Sequence, residues 1–156
     1  MGQRTQRFYR HADLGDPMMH IHGIDMALLE GRFLFDFLHE QDLPTAKLKK
    51  YKAVIWPNIA LLSDAECAAL KSFAAQGGSI MASFEGSLCD ENNVRRIDFG
   101  IADVFGIHVA GERRTRVGNA FMGRIERQQP ILDGFDNTDW LPGAQCSNPR
   151  LRSRTR

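Results

Sequence analysis

Long apolar runs are missing from this 156-residue chain. None approaches the roughly 18 residues that cross a bilayer, and no apolar stretch follows a basic start at the N-terminus. A membrane-spanning or exported protein is therefore not expected. Cysteine is scarce too. Cys67, Cys89 and Cys146 are odd in number and widely spaced, with no CxxC pair. That spacing indicates neither a disulfide framework nor a zinc site, and it fits a reducing cytoplasm. Charge of one sign is also lacking: 20 Lys plus Arg face 19 Asp plus Glu. A dedicated nucleic-acid binder would show a basic excess, so neither nucleic acid nor membrane is an expected partner. Four arginines, Arg150, Arg152, Arg154 and Arg156, crowd the end, where a solvated tail is favoured over a phosphate site. GxGxxG, GxxxxGK[ST], GxSxG and HExxH are all absent, so no nucleotide, P-loop, hydrolase-elbow or zincin chemistry is signalled, and no cofactor is expected.

What is present is an ordinary globular composition, 43% hydrophobic and 25% charged, long enough for one core. Residues 1–15 are polar and irregular. Asp16 before Pro17 predicts a helix start, and Ile21, Ile24 and Leu28 supply its apolar stripe, with Gly31 as a left-handed cap. Arg32 to Phe37 places phenylalanines at period two, which predicts a strand. Tyr51 to Trp56, ending at Pro57, is a continuous apolar run, as in a strand covered on both faces. Ser63-Asp64-Ala65-Glu66 is a capping box opening a helix with Cys67, Leu70 and Ala74 as its buried stripe and Phe73 beside it. Gly77-Gly78 stops it, and Ser79 to Phe84 predicts a second buried strand. A helix over about 98–105, closed by Gly106, a short strand at Ile107 to Val109 and an edge strand within Val117 to Ile125 complete the expectation. Pro130 to Leu132 reads as a strand or turn. Helix and strand alternate, which calls for parallel strands with helices on both faces. The domain is expected over 16–145, with a basic tail over 146–156.

In open parallel sheets ligands lie beyond the carboxyl ends of the strands. Two loops qualify: Pro57 to Asp64 and Glu85 to Asn93. Asn58, Glu85, Ser87, Asp90, Glu91 and Asn92 are the resulting ligand- or interface-loop candidates. Glu85 with Asp90 or Glu91 could form an acid/base pair. A solvated or subunit-facing loop is the favoured reading, because spacing does not establish two facing carboxylates. His20 and His22 stand two apart on a helix and point to different faces, so no shared metal is expected. His39-Glu40 reads as a polar loop, and Cys89 has no histidine near it in sequence to activate it.

Gly23 to Glu40 resembles the helix and strand that open the trimerisation domain of beta-galactosidases. Tyr51 to Asn58 and Leu61 to Asp64 look like its next strand, loop and capped helix. Gly77 to Ser87 with Asp90-Glu91-Asn92 is similar to the following strand and acidic loop, and Phe99 to Gly106 to its last clear helix. The resemblance implies an α/β fold: a three-layer flavodoxin-like, mostly parallel sheet of the class I glutamine amidotransferase type, with helices on both faces. It also implies a homotrimer and a TIM-barrel partner carrying the catalytic glutamates, as in family 42 glycosidases. No catalytic residue is then expected in this chain. The amidotransferase cysteine would fall near Ser83 or Phe84, where no cysteine stands. No strand precedes Gln6 to Tyr9 where the family has one, and Asn148 to Arg156 departs from the pattern, so a shortened domain is expected. The competing expectation is a free-standing sugar-binding protein or hydrolase using the Glu85 to Asn93 loop.

Overall fold

The computed structural model describes residues 4–5, 18–110, 121–123, 130, 133–134 and 140–142. The chain divides into two compact units, Met1–Gly111 and Glu112–Arg156. In the first, helix α1 spans Met18–Glu30, buries Ile21 and half-buries Ile24 and Leu28, as the stripe predicts. Asp16 and Pro17 lie outside the described residues. The helix ends differently from expectation. Arg32, not Gly31, takes the left-handed conformation, with φ 56°. Phe33 N donates to Leu28 O at 3.0 Å and Arg32 N to Leu29 O at 3.0 Å, which is a Schellman closure. Gly31 serves packing instead. A Cβ there would sit 2.8 Å from the Phe33 ring, which folds back on the helix end.

Phe33 to Phe37 is a correction. The alternation predicts a strand, but residues 33–39 form no ladder. A strand needs a hydrogen-bonded neighbour, and among the described residues of this unit the sheet has two members. These are β1, Ala53–Pro57, and β2, Ser79–Ser83, paired in parallel from Ala53↔Ser79 to Pro57↔Ser83. Val54 and Trp56 of β1 are buried. The second strand is less covered than predicted: Ser79 and Met81 are exposed, while Ile80 and Ala82 pack against the core.

Helix α2, Asp64–Ala75, joins the two strands. Its capping box forms in full: Ser63 N donates to Glu66 Oε2 at 2.7 Å and Glu66 N to Ser63 Oγ at 3.3 Å. Cys67, Leu70 and Phe73 point into the core with Leu43, Leu62 and Ile101. The helix closes on Gly77, φ 91°, with Gly77 N to Ala74 O and Gly78 N to Phe73 O, both 3.0 Å. Any side chain at position 78 would overlap the Phe73 ring.

Helix α3 is shorter than the predicted span, Ala102–Phe105; ahead of it Ala102 N bonds to Phe99 O, three residues back, in a turn rather than an α-helical ladder. Gly106 ends it at φ 62°, as expected. No strand forms at 107–109, since Val109 N donates to the Asp98 carboxylate at 3.0 Å instead of to a ladder. In the second unit β3, Phe121–Gly123, pairs antiparallel with β4, Trp140–Pro142. Residues 131–132, 146–156 and the remainder of the Val117 to Ile125 span lie outside the described residues. The fold is mixed α/β with a small parallel sheet.

Candidate functional site at the strand ends

β1 and β2 both end in a left-handed residue, Asn58 at φ 48° and Phe84 at φ 55°. Two such turns side by side throw the chains that follow into contact. Asn58 N donates to Ser83 Oγ at 3.1 Å, and Asn58 Oδ1 accepts from Glu85 N at 3.4 Å. Beyond them the two loops zip together. Ser87 N reaches Ile59 O at 2.9 Å, Cys89 N reaches Ala60 O at 2.9 Å, and Leu62 N returns to Cys89 O at 3.0 Å. Leu61 and Cys89 form an isolated parallel bridge. Buried Ile59, Ala60, Leu61 and Leu62 keep water from these bonds. The pair of loops is a fixed platform.

The six candidate residues divide on that platform. Asn58 and Glu85 meet through the hydrogen bond just given. Ser87 is wholly buried at φ 66°, and its Oγ has no hydrogen-bond partner among the described residues. Asp90 uses Oδ1 to hold its own turn, accepting from Asn92 N at 2.9 Å and Val94 N at 2.8 Å. Glu91 and Asn92 are exposed on that turn. A carboxylate fixed by its own backbone is a structural cap.

Two hollows flank the sheet. One of about 200 Å³ opens beside Phe84, lined by Ser83, Gly86, Phe99, Phe105 and Ile107 among others. The larger, about 540 Å³, lies at the amino ends of the strands beside Gly77, Gly78, Tyr51 and Lys52. The smaller is at the end where open α/β sheets bind ligands. Among the described residues neither is lined by a carboxylate. Glycoside hydrolysis needs two, set about 5–10 Å apart across the scissile bond.

Phe84 occupies the strained apex after β2, the place where a strand-to-helix elbow would present a nucleophile. Its ring stacks on His20 with centroids 5.9 Å apart. His22 is exposed and does not share that contact. Cys89 is half-buried, and burial, reinforced by Glu85, pushes its thiol above the ordinary value. The Cys67 thiol is pushed up by burial as well. Both are thus protonated at neutral pH and poor nucleophiles. Cys146 lies outside the described residues. Among the described residues no cluster of three His, Cys, Asp or Glu could hold a metal. No helix there is long and apolar enough to cross a membrane.

One polar centre escapes sequence reasoning. Arg4 Nε meets Glu40 Oε1 at 3.0 Å, and Arg4 Nη2 pairs with Glu66 Oε1. Thr5 Oγ1, fully buried, accepts from Leu61 N at 3.0 Å. Glu40, read as part of a polar loop, is buried, and Glu66 is both a helix cap and an ion-pair partner. No local signal marks Arg4, because its partners are 36 and 62 residues away.

No protein-family model matches the chain. Beta-galactosidase BgaB of a Geobacillus species is 35% identical over 71 residues, covering 42% of this chain and 10% of that protein. The beta-galactosidase bgaB of Geobacillus kaustophilus matches with the same figures. The chain thus spans about a tenth of the length of the curated relatives it matches. The crystal structure of beta-galactosidase from Bifidobacterium adolescentis superposes with a TM-score of 0.62 at 19% identity, over 79% of this chain and 57% of that one. At that identity the superposition speaks for the fold alone, and the sequence match supplies the kinship. This chain carries a domain related to a segment of beta-galactosidases.

Proposed function

We propose that the chain acts as a non-catalytic oligomerisation and active-site-completing domain of a beta-galactosidase-like glycoside hydrolase. The observation that carries this reading is the strand-end platform itself. It is hydrogen-bonded across its two buried loops and sits where α/β sheets place ligands, yet its apex residue is Phe84 and, among the described residues, neither flanking hollow has a carboxylate lining. In this reading the sheet belongs to a three-layer flavodoxin-like fold, with the platform turned toward a neighbour's active site. The partners are two further copies and a TIM barrel that supplies the catalytic glutamates. The setting is a reducing cytoplasm, consistent with the unpaired Cys67 and Cys89.

The second reading, a free-standing sugar binder or hydrolase, rests on the Asn58 side chain and the Glu85 backbone meeting at the carboxyl ends of the two strands. Calorimetric titration with galactose and a chromogenic aryl galactoside assay on the full chain separate the two. The assembly reading expects neither binding nor turnover. Saturable binding that disappears in Glu85→Ala establishes the alternative in its place.

A further inference from the structure

Helix α1 has two apolar sides. Ile21 packs in the core with Ile24 and Leu28 half-buried on the same side, and on the opposite side stand Met19 and Met26, with Leu29 a turn further on. A surface helix normally turns charge outward, whereas one that is apolar all round is covered on both sides. The exposed apolar surface does not stop at the helix end. The Schellman closure brings Phe33 back against it, and Leu34 and Phe37 follow in the unpaired segment, where Phe37 touches Phe35 edge to face. Met19 is 64% exposed, Met26 54%, Leu29 56%, Phe33 66%, Leu34 103% and Phe37 59%. Together these leave on the order of 600 Å² of apolar side chain in water.

That area identifies the kind of occupant. Monomers leave apolar patches of a few hundred Å². One side of a standard protein interface buries about 800 Å², somewhat over half of it apolar, so this patch is of interface size. The composition agrees. Met and Phe are enriched in interfaces and Lys is depleted, and no lysine occurs between Met18 and Ala46. Charges of both signs rim the patch. Glu30, Arg32 and Asp36 are exposed and make no ion pair among the described residues. A surface that holds a cation beside anions is complementary to a further copy of itself, since in a closed ring Arg32 of one copy can meet Glu30 or Asp36 of the next.

We infer that the outer side of α1 together with Phe33 to Phe37 is the surface through which copies of this chain associate. The inference rests on the assembly reading and names its interface. It places self-association on the amino-terminal helix and its exit, leaving the strand-end platform open toward a neighbour.

The test compares the full wild-type chain with Leu34→Asp, Met26→Asp and the control Ile97→Asp, by sedimentation velocity across a concentration series. Leu34 and Ile97 are both fully exposed, so neither substitution removes a buried contact, and far-UV circular dichroism checks that each variant keeps its fold. Leu34→Asp and Met26→Asp are expected to weaken association at least about thirtyfold, the effect of losing an interface hot spot, while Ile97→Asp matches wild type. Undiminished association in both patch variants overturns the surface assignment and leaves the assembly reading standing. A wild-type chain that is monomeric throughout overturns both.

Discussion

The loops at the carboxyl ends of β1 and β2 and the segment from Gly31 to His39 both lack regular structure, yet they are held in opposite ways. The strand-end loops carry left-handed Asn58, Phe84 and Ser87 and bury nearly everything between Ile59 and Leu62. Their backbone groups bond to each other in register. The Gly31 to His39 segment has period-two aromatic patterning suited to a strand, but its backbone finds no ladder and Phe33, Leu34 and Phe37 face water. Backbone strain persists where surrounding contacts over-determine it. Apolar exposure persists where something else is meant to cover it. The first region is complete within the chain, and the second is the surface inferred to receive a further copy.

The largest expected effect sets one region against the other. Leu62→Ala should cost about 2–5 kcal/mol in urea denaturation, because Leu62 is fully buried between the zipped loops and the core. Leu34→Ala in the monomer should stay within about 0.5 kcal/mol. Equal costs at the two positions would break the comparison.

Next comes the anchor of the strand-end platform. Glu66→Ala removes the reciprocal half of the capping box and one partner of Arg4, and should cost about 2 kcal/mol. Glu66→Gln can still accept from Ser63 N, so it should recover part of that loss. A Glu66→Ala cost no greater than that of Ser63→Ala, about 1 kcal/mol, would show that Arg4 contributes nothing.

Gly77→Ala should cost about 1 kcal/mol, since φ 91° is strained for any residue with a Cβ. Thermal melting resolves a change of that size.

The smallest effect is a pH dependence at the edge of the platform. The hydrogen bond from His108 Nδ1, followed by that from Val109 N, holds the Asp98 carboxyl below its ordinary value. A depressed carboxylate stabilises the fold above its unfolded pKa, and the contribution is lost as pH falls through the folded value. Amide exchange at Val109 should therefore accelerate as pH drops below about 4, after correction for the intrinsic rate. Unchanged protection down to pH 2 would contradict the assignment.

Local chemistry made α2 legible. Ser63 and Glu66 announce its start and Gly77-Gly78 its end within the helix's own sequence, and the structure reproduces both. The parallel β1–β2 pair followed from alternation with a helix between. Pairing is non-local, and there the sequence misled: Phe33, Phe35 and Phe37 show period two whether or not a neighbour exists. The shift of the left-handed residue from Gly31 to Arg32 was hidden for another reason. Gly31 is the better left-handed residue, but its missing Cβ is used to admit the Phe33 ring. At the candidate site the strand-end rule located Asn58 and Glu85. It could not foresee that Ser87 would be wholly interior, because a serine reads as polar surface until its loop is zipped against another. Arg4, Glu40 and Glu66 form one centre from three distant segments, and no window of sequence contains it.

Assembly of the chain is tested most directly by light scattering of the full chain across a concentration series. The expected result is a mass three times that of one chain, stable on dilution through the micromolar range. A mass of one chain at every concentration would contradict it.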